Sequence, residues 1–288
     1  MHTIAIVGLG LIGGSLGFDF SRLGYRVLGV ARRPETVAMA LERGVVHQGS
    51  TDLSLVATAD VVFLCTPIDR VIEIAQQVVP HLKAEAILTD VSSVKGALVS
   101  DLEALWPHFI GGHPMAGKAE AGLAVAEAHL FRGRPYVLTP TEATSPQDLE
   151  VLSGLVDQLD ARRYCCSPQE HDQAVAWISH LPVMVSSSLI QACQQEPNPE
   201  LLSLAQALAS SGFRDTSRVG GGVPELGTLM ARYNRSALLS SIALYQRQLG
   251  QIRALVEVED WDGLYHFLAQ AQAARPAYVE ETTVEAPG

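Results

Sequence analysis

The feature that most narrows the possible folds is the loop Gly8-Leu9-Gly10-Leu11-Ile12-Gly13. It lies between an apolar run, Ile4-Ala5-Ile6-Val7, and a helical pattern from Leu11 to Leu23. A GxGxxG that follows a strand and opens a helix is a dinucleotide fingerprint. Gly8 permits the tight turn, Gly10 lets a pyrophosphate approach the backbone, and Gly13 lets helix and strand pack closely. The helix N-terminus, at Leu11 and Ile12, then faces the phosphates. The alternative is an ordinary strand-to-helix turn, which this context disfavours.

From Thr3 to about Thr139 short β-branched runs alternate with helical patterns, as in a parallel sheet with crossover helices. Strands are expected at Thr3–Val7, Arg26–Val30, Val61–Cys65, Ala86–Thr89, Phe109–Gly111 and Tyr136–Leu138. These runs are apolar throughout, which suits strands covered on both faces. Beyond Ala161-Arg162-Arg163-Tyr164 no strand is convincing, and Ala, Leu, Gln and Ser recur at helical spacing. Ser167-Pro168-Gln169-Glu170 reads as a capping box with Pro at the first helical position, opening a helix to about His180. Later helices are expected at Glu200–Ser210, Pro224–Ala254 with a possible break, and Trp261–Ala273. Their apolar faces are too extensive for one small domain to hide, which points to a dimer surface. The expected fold class is therefore α/β: a Rossmann-type doubly wound parallel sheet domain over 1–165, followed by an all-α dimerisation domain over 166–280. An acidic tail, 281–288, completes the 288 residues, a length that suits two domains.

The formal charge of −11 repels polyanions, so no nucleic-acid partner is expected and any anionic ligand needs a local site. No window has the roughly 18 uninterrupted apolar residues of a membrane span, so no membrane partner is expected. Met1-His2-Thr3 runs straight into a strand without the features of a secretory or transit peptide, so a cytoplasmic location is expected. Cys65, Cys165, Cys166 and Cys193 show no CxxC pair, so no metal site or disulfide framework is expected, and buried free thiols are.

An NAD site usually carries an acid at the end of the second strand for the ribose hydroxyls. Here that place reads Gly29-Val30-Ala31-Arg32-Arg33. The missing acid and the two arginines after Ala31 point to the 2′-phosphate of NADP; a solvated basic turn is the alternative. Thr66 and Pro67 end a strand at the carboxyl edge of the sheet, where they would line the nicotinamide side, or where Pro67 simply starts a helix.

Three polar clusters remain: Asp90 to Lys95, Gly111 to Gly117, and Ser179-His180-Leu181-Pro182 with Gly212 to Arg218. With Gly112 before it and Pro114 after it, His113 is expected on a constrained turn, suited to a general base that must not wander. A β-hydroxyacid dehydrogenase would show a catalytic Lys instead of this cluster. A non-catalytic NADP sensor would not need Ser93, His113 and Arg218 together.

The runs GLGLIGGSL (Gly8 to Leu16), TDVSSVKG (Thr89 to Gly96), GGHPMAG (Gly111 to Gly117), HDQAVAWISHLP (His171 to Pro182) and SGFRDTSRVGGGVPELG (Ser211 to Gly227) occur in order over nearly the whole chain. In this the chain resembles the prephenate and arogenate dehydrogenases of tyrosine biosynthesis, the TyrA family. It looks most like the cyanobacterial arogenate dehydrogenases, NADP-dependent dimers with a helical second domain. The resemblance implies oxidative decarboxylation of L-arogenate to L-tyrosine, with prephenate as the runner-up substrate. It also implies that His113 accepts the C4 hydroxyl proton and that Ser93 hydrogen-bonds the same hydroxyl. Arg218 would bind the departing carboxylate, and Asp215, His180 and Gly112 would line the substrate pocket; Asp215 and Arg218 could instead pair with each other. Prephenate-using members often carry a second His where this chain has Val183, and many place a Glu where it has Lys118-Ala119 and then Glu120. Both departures resemble the arogenate-specific type.

Overall fold

The computed structural model describes residues 3–118 and 120–279. The tail 281–288 lies outside the described residues. By contact the chain divides into Met1–Leu238 and Leu239–Gly288.

The first unit is built on eight strands: β1 (Thr3–Val7), β2 (Arg26–Val30), β3 (Gln48–Ser50), β4 (Val61–Leu64), β5 (Ile87–Asp90), β6 (Phe109–Pro114), β7 (Pro135–Thr139) and β8 (Arg162–Cys165). Their spatial order is β3-β2-β1-β4-β5-β6-β7-β8. Helices α1 (Leu11–Arg22), α2 (Pro34–Glu42), α3 (Val71–Val78), α4 (Val99–Leu105) and α5 (Pro146–Gln158) supply crossovers. Side chains alternate across β1, so Ile4 and Ile6 meet Leu16 and Phe20 of α1 and Leu152 of α5 on one face. Ala5 and Val7 meet Val71 and Ala75 of α3 and Leu102 of α4 on the other. Two apolar layers sandwiching one sheet are the doubly wound arrangement that the sequence pattern implied.

The sheet is not parallel throughout. Strand β7 runs antiparallel to β6, with Gly111 opposite Thr139 and His113 opposite Val137. Among the described residues between them there is a short 3₁₀ turn, Leu123–Val125, and no crossover helix, so the chain comes back in the reverse direction. This pairing carries β6 three residues beyond its expected end at Gly111. His113 consequently lies on a strand, and its rigidity comes from the ladder to β7 in place of the expected turn. Strands β3 and β8 were not legible. The first has three residues, and all four residues of β8 are exposed at the sheet edge, where polar residues hide the strand period.

Ser167 and Glu170 form the expected capping box, with Ser167 Oγ accepting from Glu170 N–H and the Glu170 carboxylate accepting from Ser167 N–H at 2.8 Å. The helix that follows runs past His180, as α6 (Pro168–Val175), a π turn (Ala176–His180) and α7 (Leu181–Gln194). Leu181 N–H donates five residues back, to Ala176 O. Pro182 explains the widening, because its ring excludes a regular bond to the carbonyl four residues earlier. On length and composition this run could cross a membrane, yet His171, Asp172 and His180 are buried polar residues within it, and Asp172 is hydrogen-bonded to the sheet domain. Then come α8 (Pro199–Leu208), α9 (Ser211–Ser217) and α10 (Pro224–Tyr233); α9 has seven residues and was not anticipated. Asn234 makes the expected break before α11 (Arg235–Glu257).

The first unit extends beyond residue 165: Asp172 ties α6 to the loop after β5 by accepting from the Lys95 and Gly96 N–H groups, while Asn234, at the end of α10, joins Asp172 and His180 within the helical segment. The second unit holds most of α11 and α12 (Trp261–Ala274). Its Leu239, Leu249, Trp261, Tyr265 and Leu268 are exposed. The thiols depart from expectation: Cys165 and Cys193 are exposed, Cys65 and Cys166 half-buried. Cys165 sits on the edge strand and Cys193 in the last turn of α7, where neither is covered.

Candidate active site

The carboxyl ends of β1, β2, β4, β5 and β6 carry nearly all the residues singled out in the sheet domain. At the β1–α1 turn Gly8 has φ +105°, and a Cβ there would lie 2.5 Å from the Cys65 carbonyl oxygen. A Cβ on Gly13 would lie 2.0 Å from Gly8 O, so neither site admits a side chain. Gly10 is different: a Cβ there meets nothing within 4 Å, so its clearance faces open space. It also begins α1 without any side-chain cap, which leaves the first N–H groups, those of Leu11, Ile12 and Gly13, for a ligand. Nearby, the Thr66 hydroxyl is buried with no partner among the described residues, while Pro67 is exposed and precedes a short 3₁₀ turn. An uncapped helix end, an open glycine and an orphaned hydroxyl fit a dinucleotide. After β2, Ala31 is buried and Arg32 and Arg33 are exposed.

The loop after β5 is pinned to β6 by a buried ion pair. Lys95 Nζ lies 2.5 Å from Asp90 Oδ2, both side chains fully buried, and donates to Gly112 O at 2.7 Å. Asp90 accepts from Gly112 N–H at 3.2 Å and Ser92 N–H at 3.0 Å. Gly112 thus spends its carbonyl and N–H on this pair, so its place in the site is to admit close packing: a Cβ would lie 2.8 Å from Asp90 O. Ser93, half-buried, sits in the loop so fixed.

Beside Gly112, His113 Nδ1 lies 2.8 Å from His171 Nε2. His171 Nδ1 in turn lies 2.8 Å from Asp172 Oδ1. The Asp172 carboxylate accepts from the Lys95 and Gly96 N–H groups, each at 2.8 Å. Asn234 Nδ2 donates to Asp172 O at 2.7 Å and to His180 Nδ1 at 3.2 Å. Since Nδ1 of His180 is the acceptor, its Nε2 carries the proton, and Nε2 is buried without a partner among the described residues. Burial, with His171 adding to it against the pull of Asp172, lowers the His180 pKa to about 4. Burial also holds His113 well below the ordinary imidazole value, with His171, Lys95 and His180 acting in the same direction. Both rings are therefore neutral near pH 7, and His113 can accept a proton.

Asp215 and Arg218 share no hydrogen bond with this cluster among the described residues. Both are exposed, and Asp215 Oδ1 meets Arg214 Nε at 3.3 Å, so the alternative pairing of Asp215 with Arg218 gives way to one with Arg214. Their segment is seated on α7, where Ser186 Oγ donates to Thr216 O and Gly220 packs against the Ser186–Ser187 backbone. Lys118 pairs with Glu127 at 2.6 Å. Lys95, His171, Asp172 and Asn234 were not assigned roles from sequence; the His171-Asp172 doublet in the first turns of a capped helix was the available signal.

Residues 19–165 match the family model described as prephenate dehydrogenase, nucleotide-binding domain, and residues 167–270 match prephenate dehydrogenase, dimerization domain. The chain belongs to the prephenate dehydrogenase family. As a member it is an oxidoreductase of the prephenate/arogenate dehydrogenase type with a nicotinamide-binding Rossmann domain. It is 32% identical to the prephenate dehydrogenase of Bacillus subtilis over 95% of this chain and 75% of that protein. A crystal structure of Synechocystis arogenate dehydrogenase superposes with a TM-score of 0.89 at 51% identity, covering 96% of this chain and all of that one. The A. aeolicus prephenate dehydrogenase solved with hydroxyphenyl propionate and NAD+ gives a TM-score of 0.90 at 28% identity, covering 97% and 99%.

Proposed function

We propose that this family member oxidatively decarboxylates L-arogenate to L-tyrosine, with NADP as hydride acceptor and His113 as general base. The observation that carries the reading is the neutral His113 ring, held at Nδ1 by His171 beside the cofactor edge. A bound nicotinamide supplies the hydride acceptor. His113 takes the C4 hydroxyl proton as the C4–H electron pair departs as hydride, and Ser93 holds that hydroxyl in line. The bond to the ring carboxylate then breaks, its electrons complete the aromatic ring, CO2 leaves, and the phenolate oxygen takes its proton back from His113. Arg218 binds the carboxylate before it departs, and the orphaned His180 Nε2–H, with Asp215 near Arg218, orders the substrate. Residues 1–165 serve the cofactor and 166–280 the substrate and a homodimer contact; the exposed apolar side chains of α11 and α12 support that contact, and a single-chain mass by light scattering would refute it.

The 51% identity to an arogenate dehydrogenase, against 28–32% to prephenate enzymes, favours arogenate. Prephenate is the second reading, supported by the curated Bacillus relative. Exposed Arg32 and Arg33, with no acid at the end of β2, favour NADP. Steady-state assays with each substrate and each cofactor test this. The higher kcat/KM is expected for arogenate and for NADP, and Arg32→Ala with Arg33→Ala should cost about tenfold or more with NADP and little with NAD. Equal kcat/KM for prephenate removes the substrate claim, and an NAD preference removes the arginine claim.

A further inference from the structure

We infer that His171 and Asp172 are positioning residues that fix the ring tautomer of His113, so that its Nε2 always presents the lone pair. The inference rests on the reading of His113 as the base.

With one proton on each imidazole, three contacts in series leave a single arrangement. The Asp172 carboxylate only accepts, and it already accepts the Lys95 and Gly96 N–H groups at 2.8 Å. The nitrogen 2.8 Å from its Oδ1, His171 Nδ1, must therefore carry a proton. With that as its one ring proton, His171 has a bare Nε2. The 2.8 Å contact from that atom to His113 Nδ1 needs one proton, which belongs to His113. A neutral His113 protonated on Nδ1 has its lone pair on Nε2, and that atom has no hydrogen-bond partner among the described residues. The opposite tautomer would place two lone pairs face to face across 2.8 Å and would turn an N–H toward the proton to be taken.

Charge reinforces this arrangement. Burial of His113, with His171, Lys95 and His180 beside it, keeps that ring from holding a second proton. Lys95 is already committed to Asp90 at 2.5 Å. His171 itself is buried on α6 while His113 is reached from β6, so the pair also ties helix to sheet at the point where the base must be oriented. The relay resembles in logic any triad in which a carboxylate orients an imidazole, extended here by one ring.

Two-bond ¹H–¹⁵N correlation spectra of the ¹⁵N-histidine-labelled protein read the tautomer directly and without turnover. In the wild type His113 is expected to show a protonated Nδ1 and a bare Nε2; the reverse overturns the inference. In His171→Leu, His113 is expected to become a mixture of tautomers. Its kcat should fall by an order of 10²-fold, part of what a general base contributes, with both KM values little changed. His171→Gln retains an acceptor toward His113 and should recover most of kcat, which loss of packing alone would not predict. A Leu variant with wild-type kcat overturns the inference even if His113 is the base. A fully active His113→Asn variant removes the base reading while the tautomer spectrum still stands or falls by itself.

Discussion

Replacing His113 by Asn is expected to lower kcat by roughly 10²–10⁴-fold, the range that a positioned general base contributes, with a much smaller change in KM. Asn keeps the hydrogen-bonding side chain on β6 and loses only the titratable lone pair. Activity should be retained at acidic pH in the unmodified protein. His113 has a folded pKa depressed by burial and by the nearby His171, Lys95 and His180. Because the neutral ring is the active form and protonation occurs only below the ordinary value of 6.5, the acidic limb of kcat/KM must lie below that value. Pre-steady-state and steady-state rates of His113→Asn, together with the wild-type pH profile, check both. An unchanged kcat, or an acidic limb above 6.5, would contradict the assignment.

The second large effect is on stability. Lys95→Met should destabilise the fold by about 3–5 kcal/mol, the usual result of removing one partner from a buried pair. The Asp90 carboxylate would remain fully buried with only the N–H groups of Ser92 and Gly112, and Gly112 O would lose its side-chain donor. Met matches the length of the Lys stem, so the loss of packing is small and the charge dominates. Burial pushes the Lys95 pKa down and Asp90 pulls it up, which is why neither group is useful here without the other. Urea unfolding of Lys95→Met and of Lys95→Met with Asp90→Asn separates the terms: the neutral double variant should recover part of the loss. A midpoint close to wild type for the single variant would refute the uncompensated charge.

The parts of the fold that sequence revealed are those whose chemistry is local. The Gly8 turn and the capping box at Ser167 each complete themselves within six residues, and the central strands announce themselves because burial on both faces demands apolar runs. Edge strand β8 failed that criterion for the same reason: Arg162, Arg163, Tyr164 and Cys165 are exposed, so burial imposes no pattern on them. His113 was legible as a residue but not in its setting, since its partner β7 arrives from 24 positions away in register with it. The link from His113 through His171 to Asp172 depends on a sheet and a helix meeting, and no spacing along the chain encodes that meeting. The alternative Asp215–Arg218 pair shows the converse, because helical spacing allowed a contact that Arg214, one residue away, takes instead.

The π turn before Pro182 carries a consequence for helical phase. At about 100° per residue, the eight positions from Asp172 to His180 would leave them about 80° apart on a regular helix. One extra residue accommodated in the wide turn makes the effective separation seven, or about 20° from alignment, and Asn234 can then reach both with a single amide. The two halves of this helix therefore keep separate counts. Changes of side chain within Ala176–His180 leave the offset between them intact; a deletion there would rotate everything that follows, His180 and α7 together, as a block.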